Sequence, residues 1–111
     1  MIGQPGDQFV QIDWIINPFR AEQFAALWLP AAEAVLDYGA TGWAFIRSTD
    51  DPQHFVQLAL FADRLDFDRY WLSPQISDYR VQAAGLFHVP ILPIWLTVEG
   101  SGQIIGAELP S

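Results

Sequence analysis

Residues 62–77, ADRLDFDRYWLSPQIS, carry the clearest helix signals in the chain. Phe67, Tyr70 and Trp71 recur at i, i+3 and i+4, which places their side chains on one face of a helix. Asp66 is predicted to cap the first turn of that helix. A strand-like run precedes this stretch and another follows it, so the helical stretch connects two predicted strands and fixes the order of the elements.

The same stretch contains a signal for a break in the helix. Serine is a favourable N-cap and proline suits the first helical position, so Ser73 and Pro74 are predicted to end one helix and to begin another. The apolar stripe then continues to Gly85, which is predicted to terminate the second helical part. The members of the continued stripe are Ile76, Tyr79 and Ala83.

The N-terminal third of the chain reads as a strand followed by a helix. Residues 9–16, FVQIDWII, are rich in β-branched and aromatic residues and predict the first strand. A helix is predicted from Pro18 to about Tyr38, with Asn17 as its N-cap and Pro18 at its first position.

Three further strands are indicated. Residues 42–47 and 54–62 flank the turn signal STDDPQ and predict a hairpin. Residues 91–99 predict the last strand, which belongs at a sheet edge because it contains a proline.

The resulting order, β-α-β-β-α-β, is the ferredoxin-like pattern. Right-handed crossovers place the third strand beside the first, so we expect an α+β fold with an antiparallel four-stranded sheet and two helices on one face. The single domain is predicted to cover residues 9–99, between a flexible lead at residues 1–8 and a C-terminal tail at residues 100–111.

Both faces of this sheet are predicted to be apolar. In the third strand, one side carries two phenylalanines and an alanine, and the other carries a valine and two leucines. Helices cover only one face, and a single small domain cannot hide so much apolar surface. We therefore expect a homodimer through sheet-on-sheet packing, since hiding about 500 Å² per subunit contributes on the order of 12 kcal/mol before association costs.

The charge balance narrows the possible partners. The chain has thirteen acidic residues, five arginines and no lysine, for a formal net charge of −8. Nucleic acids and anionic membrane surfaces require a basic patch, so neither is expected as a partner. There is no cysteine, no apolar run long enough to span a bilayer and no signal-peptide pattern, so a cytoplasmic location is expected.

The segment FADRLDFDRYWLSPQI and the element order resemble the antibiotic biosynthesis monooxygenase family of the dimeric α+β barrel superfamily. Phe61 matches an aromatic residue at the end of the third strand, and Ser73 and Pro74 match a break in the following helix. The resemblance implies a homodimer with a pocket between helices and sheet in each subunit. It also implies activities such as cofactor-free oxygenation of aromatic polyketides or quinols.

Haem degradation, another activity in that family, does not fit the sequence. Haem-degrading members use an asparagine on the first strand, a tryptophan at the end of the third strand and a histidine in the second helix. The matching positions here hold Ile12 or Asp13, then Phe61 and Arg80. No cofactor is predicted, because the chain has no nucleotide-binding or flavin-binding motif.

Two residues are candidates for a catalytic base. Asp13 lies within an apolar strand, where burial could raise the pKa of its carboxyl group, and the alternative is an ion pair with Arg47. His88 is a candidate proton shuttle near a pocket mouth. Gln11 and Gln57 are expected to share the face of Asp13.

The predicted substrate site is a pocket for a flat, apolar or aromatic small molecule. Its candidate residues are Trp14, Trp28, Arg47, Phe61, Tyr70, Trp71, Tyr79 and Arg80. The alternative for the aromatic residues is plain core packing, and the alternative for Arg80 is pairing with Asp78 or exposure. No metal site is predicted, because His54 and His88 are the only histidines and His54 is expected to be exposed.

Two functions follow from these patterns. One is a cofactor-independent monooxygenase in which a base removes a phenolic or enolic proton and the anion reacts with dioxygen in a dry cavity. The other is a non-catalytic dimer of the same fold that binds an apolar ligand or serves as an interaction module.

Overall fold

The structure of the chain is a computed structural model, which describes residues 3–103. Its elements in chain order are β1 (Gln8–Ile15), α1 (Ala21–Glu33), β2 (Ala40–Arg47), β3 (His54–Phe61), α2 (Arg64–Trp71), α3 (Pro74–Ala83) and β4 (Ile94–Thr97). A 3₁₀ segment, Ala34–Tyr38, leads from α1 to β2. Gly39 and Gly85 end the two helical regions with positive φ angles of 102° and 87°.

The four strands form one antiparallel sheet in the order β2-β3-β1-β4. The third strand therefore lies beside the first, and β2 and β3 form the predicted hairpin. The four-residue β4 is shorter than the predicted strand and lies at an edge, as the proline in the predicted strand indicated. These observations confirm the predicted ferredoxin-like α+β fold within the described residues.

Helix α1 begins three residues later than predicted. Asn17 does not cap it: the backbone N–H of Asn17 donates to the Leu86 carbonyl (2.8 Å), and its side-chain amide donates to the Gly85 carbonyl (2.7 Å). The helix starts at Ala21 without a side-chain cap. Asn17 instead fastens the end of β1 to the segment that follows α3.

The break between α2 and α3 is confirmed at Ser73. The Ser73 hydroxyl accepts a hydrogen bond from the Ile76 backbone N–H (3.2 Å) and donates one to the Tyr70 carbonyl (2.8 Å). The predicted cap of α2 was wrong by three residues. Asp63 caps that helix by accepting from the Leu65 backbone N–H (2.9 Å), whereas Asp66 lies inside the first turn.

The sheet has a helix-covered face and an outer face. On the helix-covered face, β1 and β3 bury a set of mostly apolar side chains. That set comprises Val10, Ile12, Trp14, Phe55, Gln57, Ala59 and Phe61. The outer face carries side chains that are mostly exposed or half-buried, among them Phe9, Gln11, Asp13, Ile15, Ile46, Val56, Leu58, Ile94 and Leu96.

The segments beyond the sheet are described only in part. The backbone of Gly6 and Asp7 bonds to Val98 just after β4, at 2.9 and 2.8 Å. Most of the predicted tail, residues 104–111, lies outside the described residues. Between residues 3 and 103, no helix has the length and apolar character that crossing a membrane requires.

Candidate functional site

A buried carboxamide lies at the centre of the helix-covered core. The side-chain oxygen of Gln57 accepts hydrogen bonds from the indole N–H of Trp14 (3.2 Å) and of Trp28 (2.9 Å). Its amide nitrogen donates to the Tyr70 hydroxyl (3.0 Å), which donates to the Ala31 carbonyl (2.7 Å). We call these four side chains, from Trp14, Trp28, Gln57 and Tyr70, the Gln57 cluster.

Aromatic rings surround the Gln57 cluster on all the elements that meet there. Trp14 contacts Trp28 at a centroid distance of 4.6 Å and Phe87 at 5.0 Å. Phe61 reaches the cluster through Phe67, whose ring contacts both Phe61 (5.9 Å) and Tyr70 (6.0 Å). The cluster is therefore a packed group of flat π-surfaces around one amide group.

Three half-buried residues separate this cluster from solvent. Trp71 lies 6.3 Å from Trp14, and Tyr79 lies 6.3 Å from Trp28, measured between ring centroids. The Arg80 guanidinium stacks on the Trp71 ring at 4.5 Å and donates to the Trp71 carbonyl (2.5 Å). Arg80 thus joins the end of α2 to α3 at the edge of the site and does not pair with Asp78.

Burial shifts the pKa values of the Tyr70 phenol and the Arg80 guanidinium in opposite directions. It raises the pKa of the Tyr70 phenol well above its ordinary value, against the smaller effects of the Gln57 hydrogen bond and the Arg80 charge. Desolvation lowers the pKa of the Arg80 guanidinium, which nearby Tyr70 partly opposes. Tyr70 is therefore a neutral hydrogen-bond donor at ordinary pH and is unsuited to act as a base.

Side chains fill the space around Gln57 in this structure. Trp14, Trp28 and Tyr70 have no exposed surface, and Gln57 is 2% exposed. Every buried side-chain nitrogen or oxygen among the described residues has a hydrogen-bond partner. A ligand that occupied this site would therefore have to displace one or more of these rings.

Asp13 lies on the outer face, away from the Gln57 cluster. Its carboxylate accepts hydrogen bonds from the His54 ring (3.0 Å) and from the Gln11 amide (3.2 Å). The expected ion pair with Arg47 was wrong, because Arg47 projects from β2 toward α1 and bonds Glu22 (2.6 Å). His54 was also expected to be exposed, but its side chain is only 34% exposed.

Gln57 does not share the face of Gln11 and Asp13, contrary to expectation. It pairs across the sheet with Ile12, a buried residue on the helix side. The sequence signal for Gln57 was its position between Phe55 and Ala59, which alternate on the helix-covered side of the same strand.

His88, the second candidate base, is exposed. Its backbone N–H donates to the Ile15 carbonyl (2.8 Å), which places it beside the outer face. The structure thus assembles seven of the eight predicted substrate residues in or around the Gln57 cluster and leaves Arg47, Asp13 and His88 outside it. Within residues 3–103, no group of three or more metal-ligating side chains comes together.

Two grooves lie on the outer surface of the helices. The larger, about 700 Å³, lies beside α2 and is lined by Tyr38, Leu65, Asp68, Arg69, Leu72, Ser73 and Pro74. A smaller groove of about 300 Å³ lies between the end of α1 and α3. Neither reaches Gln57.

The fold is that of antibiotic biosynthesis monooxygenase structures. A protein from Nitrosomonas europaea, assigned provisionally to those monooxygenases by its name, superposes with a TM-score of 0.76 at 16% identity, over 86% of this chain and 93% of its own. A similarly named protein from Bordetella bronchiseptica gives 0.72 at 18% identity, over 84% and 97%.

An oxygenase is also among the similar structures. A mutant of SnoaB, a cofactor-independent oxygenase from Streptomyces nogalater, superposes with a TM-score of 0.71 at 14% identity, over 86% of this chain and 95% of its own. No family model matches the sequence, and no curated protein matches it. The predicted resemblance is therefore confirmed in the fold.

Proposed function

We propose that the chain is a cofactor-independent monooxygenase-like protein that acts on a flat aromatic molecule, such as a polyketide or quinol. The observation that carries the proposal is the Gln57 cluster, an amide and a phenol enclosed by aromatic rings. It lies between helices and sheet, in a fold shared with an oxygenase that needs no cofactor.

The reaction requires only the substrate and dioxygen. For an anthrone-type substrate, loss of a proton gives an enolate, which transfers one electron to dioxygen, and the two radicals combine to a peroxide anion that takes up a proton to form a hydroperoxide. Loss of water across the O–O bond then gives a carbonyl group. One oxygen atom enters the product, the other leaves as water, and the ring carbon is oxidised. A dry site favours this sequence because it protects the intermediates from solvent.

The residues of the cluster would bind and orient the anion. The second N–H of the Gln57 amide is a donor for a substrate oxygen. The Tyr70 hydroxyl becomes one only when it gives up its bond to the Ala31 carbonyl, and Arg80 supplies positive charge at the edge of the site. Binding would require rings to move, and the half-buried Trp71 and Tyr79 are closer to solvent than the fully buried Trp14, Trp28 and Tyr70. Among the described residues, the buried polar side chains are Gln57 and Ser73, and neither can act as a base. The substrate must therefore be acidic enough to lose its proton before it enters the site.

Oxygen consumption with anthrone-type and quinol-type substrates tests the proposal. We expect uptake by the natural chain and a loss of about tenfold or more in Gln57→Leu, which removes the amide. Gln82→Leu, an exposed change on α3, is the matched control and should leave uptake unchanged. A natural chain that consumes no oxygen with any of these substrates would contradict the proposal.

The predicted catalytic roles of Asp13 and His88 have a separate test. Because both lie outside the cluster, Asp13→Asn and His88→Ala are expected to retain oxygen uptake. A strong loss in either variant would restore its predicted role as a base and would place the reaction at the outer face.

The filled core favours a second function, a non-catalytic binding or interaction module of the same fold. Aromatic rings fill the core, and the oxygen and the nitrogen of the Gln57 amide each have a hydrogen-bond partner, so the closed state is stable without substrate. Saturable binding of a planar aromatic molecule without oxygen uptake would support this function, and turnover would exclude it.

Assembly as a homodimer through the outer face is part of the proposal. Large apolar side chains there remain accessible, including Ile46 at 51% and Ile94 at 47% exposure. The central strands of this face also carry an acid and a histidine, Asp13 and His54, which bond each other within one chain.

Sedimentation equilibrium tests the assembly. Ile94→Glu introduces a charge on the outer face and should convert the dimer to monomer. Leu72→Glu, a change at the more exposed groove beside α2, is the control and should leave the dimer intact. A natural chain that is monomeric at micromolar concentration would refute the dimer.

A further inference from the structure

The outer face contains a small polar cluster in an unusual position. Gln11, Asp13 and His54 hydrogen-bond to one another on β1 and β3, which are the two central strands of the sheet. Groups on an edge strand can stay in water when two sheets pack, but groups on central strands cannot. Sheet-on-sheet packing would therefore desolvate the Asp13–His54 pair.

Apolar side chains surround this pair. Ile15 pairs directly with His54 across β1 and β3, and Val56 pairs with Asp13. The two members of the pair are still 37% and 34% exposed in the single chain, so each has hydration to lose. The energy of dimer formation consequently depends on the charge state that the pair carries into the interface.

We infer that the Asp13–His54 pair links dimer formation to proton uptake. The inference rests on the proposed dimer. With His54 protonated, the pair has no net charge and is the least costly form to bury. With His54 neutral, the Asp13 carboxylate enters the interface as a net negative charge with only neutral donors. The dimer is therefore tighter on the acidic side of neutrality and weaker on the alkaline side, in the range in which histidine changes charge.

Other charged side chains near His54 do not bond its ring among the described hydrogen bonds, although the Asp51 backbone carbonyl accepts from the His54 backbone N–H (2.9 Å). They are Asp50 and Asp51 in the preceding turn, Arg47 at the end of β2, and His88 on the far side of Ile15. Arg47 is bound to Glu22 and to the Pro52 carbonyl. His88 has no carboxylate among its described hydrogen-bond partners, so it serves as the comparison for His54.

The dissociation constant of the full chain, measured by sedimentation equilibrium between about pH 6 and about pH 8.5, tests the inference. We expect an increase of about tenfold toward the higher pH, to which the two pairs buried in the dimer contribute equally, about threefold each. His54→Gln should remove most of this increase, because glutamine still donates to Asp13 but does not titrate. His88→Gln removes the same kind of group outside the pair and should retain it.

Asp13→Asn should reverse the direction in which pH changes the dissociation constant. Without the carboxylate, a protonated His54 is the costly form to bury, so this variant should dimerise more weakly at the lower pH. If the natural chain and His54→Gln respond to pH equally, the inference is wrong and the dimer stands. A chain that is monomeric at every pH refutes the proposed assembly as well. Circular dichroism of each variant confirms that it is folded.

Discussion

At the scale of single residues, Gln57 has more influence on the core than its size suggests. Its carboxamide is the hydrogen-bond partner of two buried indoles and one buried phenol. A buried donor that loses its partner costs about 1–3 kcal/mol, because it was removed from water and gains nothing in return. The cluster is consequently sensitive to the chemistry of this one side chain as well as to its volume.

Gln57→Leu is expected to lower the free energy of unfolding by about 3 kcal/mol or more. Leucine has a similar volume, so the loss arises mainly from the unpaired N–H groups of Trp14 and Trp28. Urea denaturation followed by circular dichroism measures it. Gln82→Leu on the exposed face of α3 should change the free energy by less than about 0.5 kcal/mol. Equal effects of the two changes would contradict the role assigned to the amide.

Tyr70 gives the chain a defined alkaline limit. Because burial raises the pKa of its phenol above the unfolded value of 10.0, the folded state favours the protonated form. This contribution is complete below about pH 10 and is lost as the pH rises further, since the unfolded chain then ionises more readily. The free energy of unfolding of the natural chain should fall more steeply above pH 10 than that of Tyr70→Phe. Parallel pH profiles would show that Tyr70 ionises equally in both states.

The sequence identified the aromatic residues of the Gln57 cluster but placed its amide on the wrong face. Trp14, Trp28 and Tyr70 were found because alternation and helical spacing identify residues that share a face within one element. Gln57 was assigned to the wrong side because faces of different strands can be matched only when their register is known. Register depends on contacts between distant residues, and here it pairs Ile12 with Gln57.

At the scale of elements, helix ends were predictable where their bonds are local. Ser73 caps α3 through a residue three positions away, a pattern visible in the sequence. Asn17 carries an equally good capping signal, yet its amide bonds the segment that follows α3, nearly seventy residues later. Tertiary hydrogen bonds of this kind have no local signature, and the start of α1 was missed for that reason.

Gly39, at the end of the 3₁₀ segment, has both a positive φ and a close neighbour. It has a φ of 102°, and a β-carbon at this position would lie 2.7 Å from a carboxylate oxygen of Asp66 on α2. Gly39→Ala should destabilise the fold by about 2–4 kcal/mol, through backbone strain and displacement of Asp66.

Gly85→Ala separates backbone strain from the displacement of Asp66 in the destabilisation expected for Gly39→Ala. Gly85 has a similar φ of 87°, but nothing lies within 4 Å of an added β-carbon, so only the backbone strain of about 1–2 kcal/mol remains. Thermal and urea unfolding of both variants measure the difference. If the two glycines respond alike, the contact between the 3₁₀ segment and α2 is looser than the structure indicates.

At the scale of the whole molecule, two copies that associate also bring together sixteen formal negative charges. The chain has no lysine, and its five arginines leave each copy at −8. Salt screens the mutual repulsion of such charges. We therefore expect the dissociation constant of the dimer to fall severalfold between about 20 mM and about 500 mM sodium chloride. Sedimentation equilibrium measures this, and a dimer that salt weakens would indicate that ion pairs across the interface dominate.

The arrangement of Trp14 and Trp28 also gives the core an intrinsic fluorescence signal. Both indoles donate to one oxygen and are shielded from water, so their share of the emission from the five tryptophans should lie at short wavelengths in the closed core. A ligand that binds between the two indoles would quench that emission or shift its wavelength. A fluorescence titration, which needs neither a label nor turnover, can therefore detect a ligand in the core.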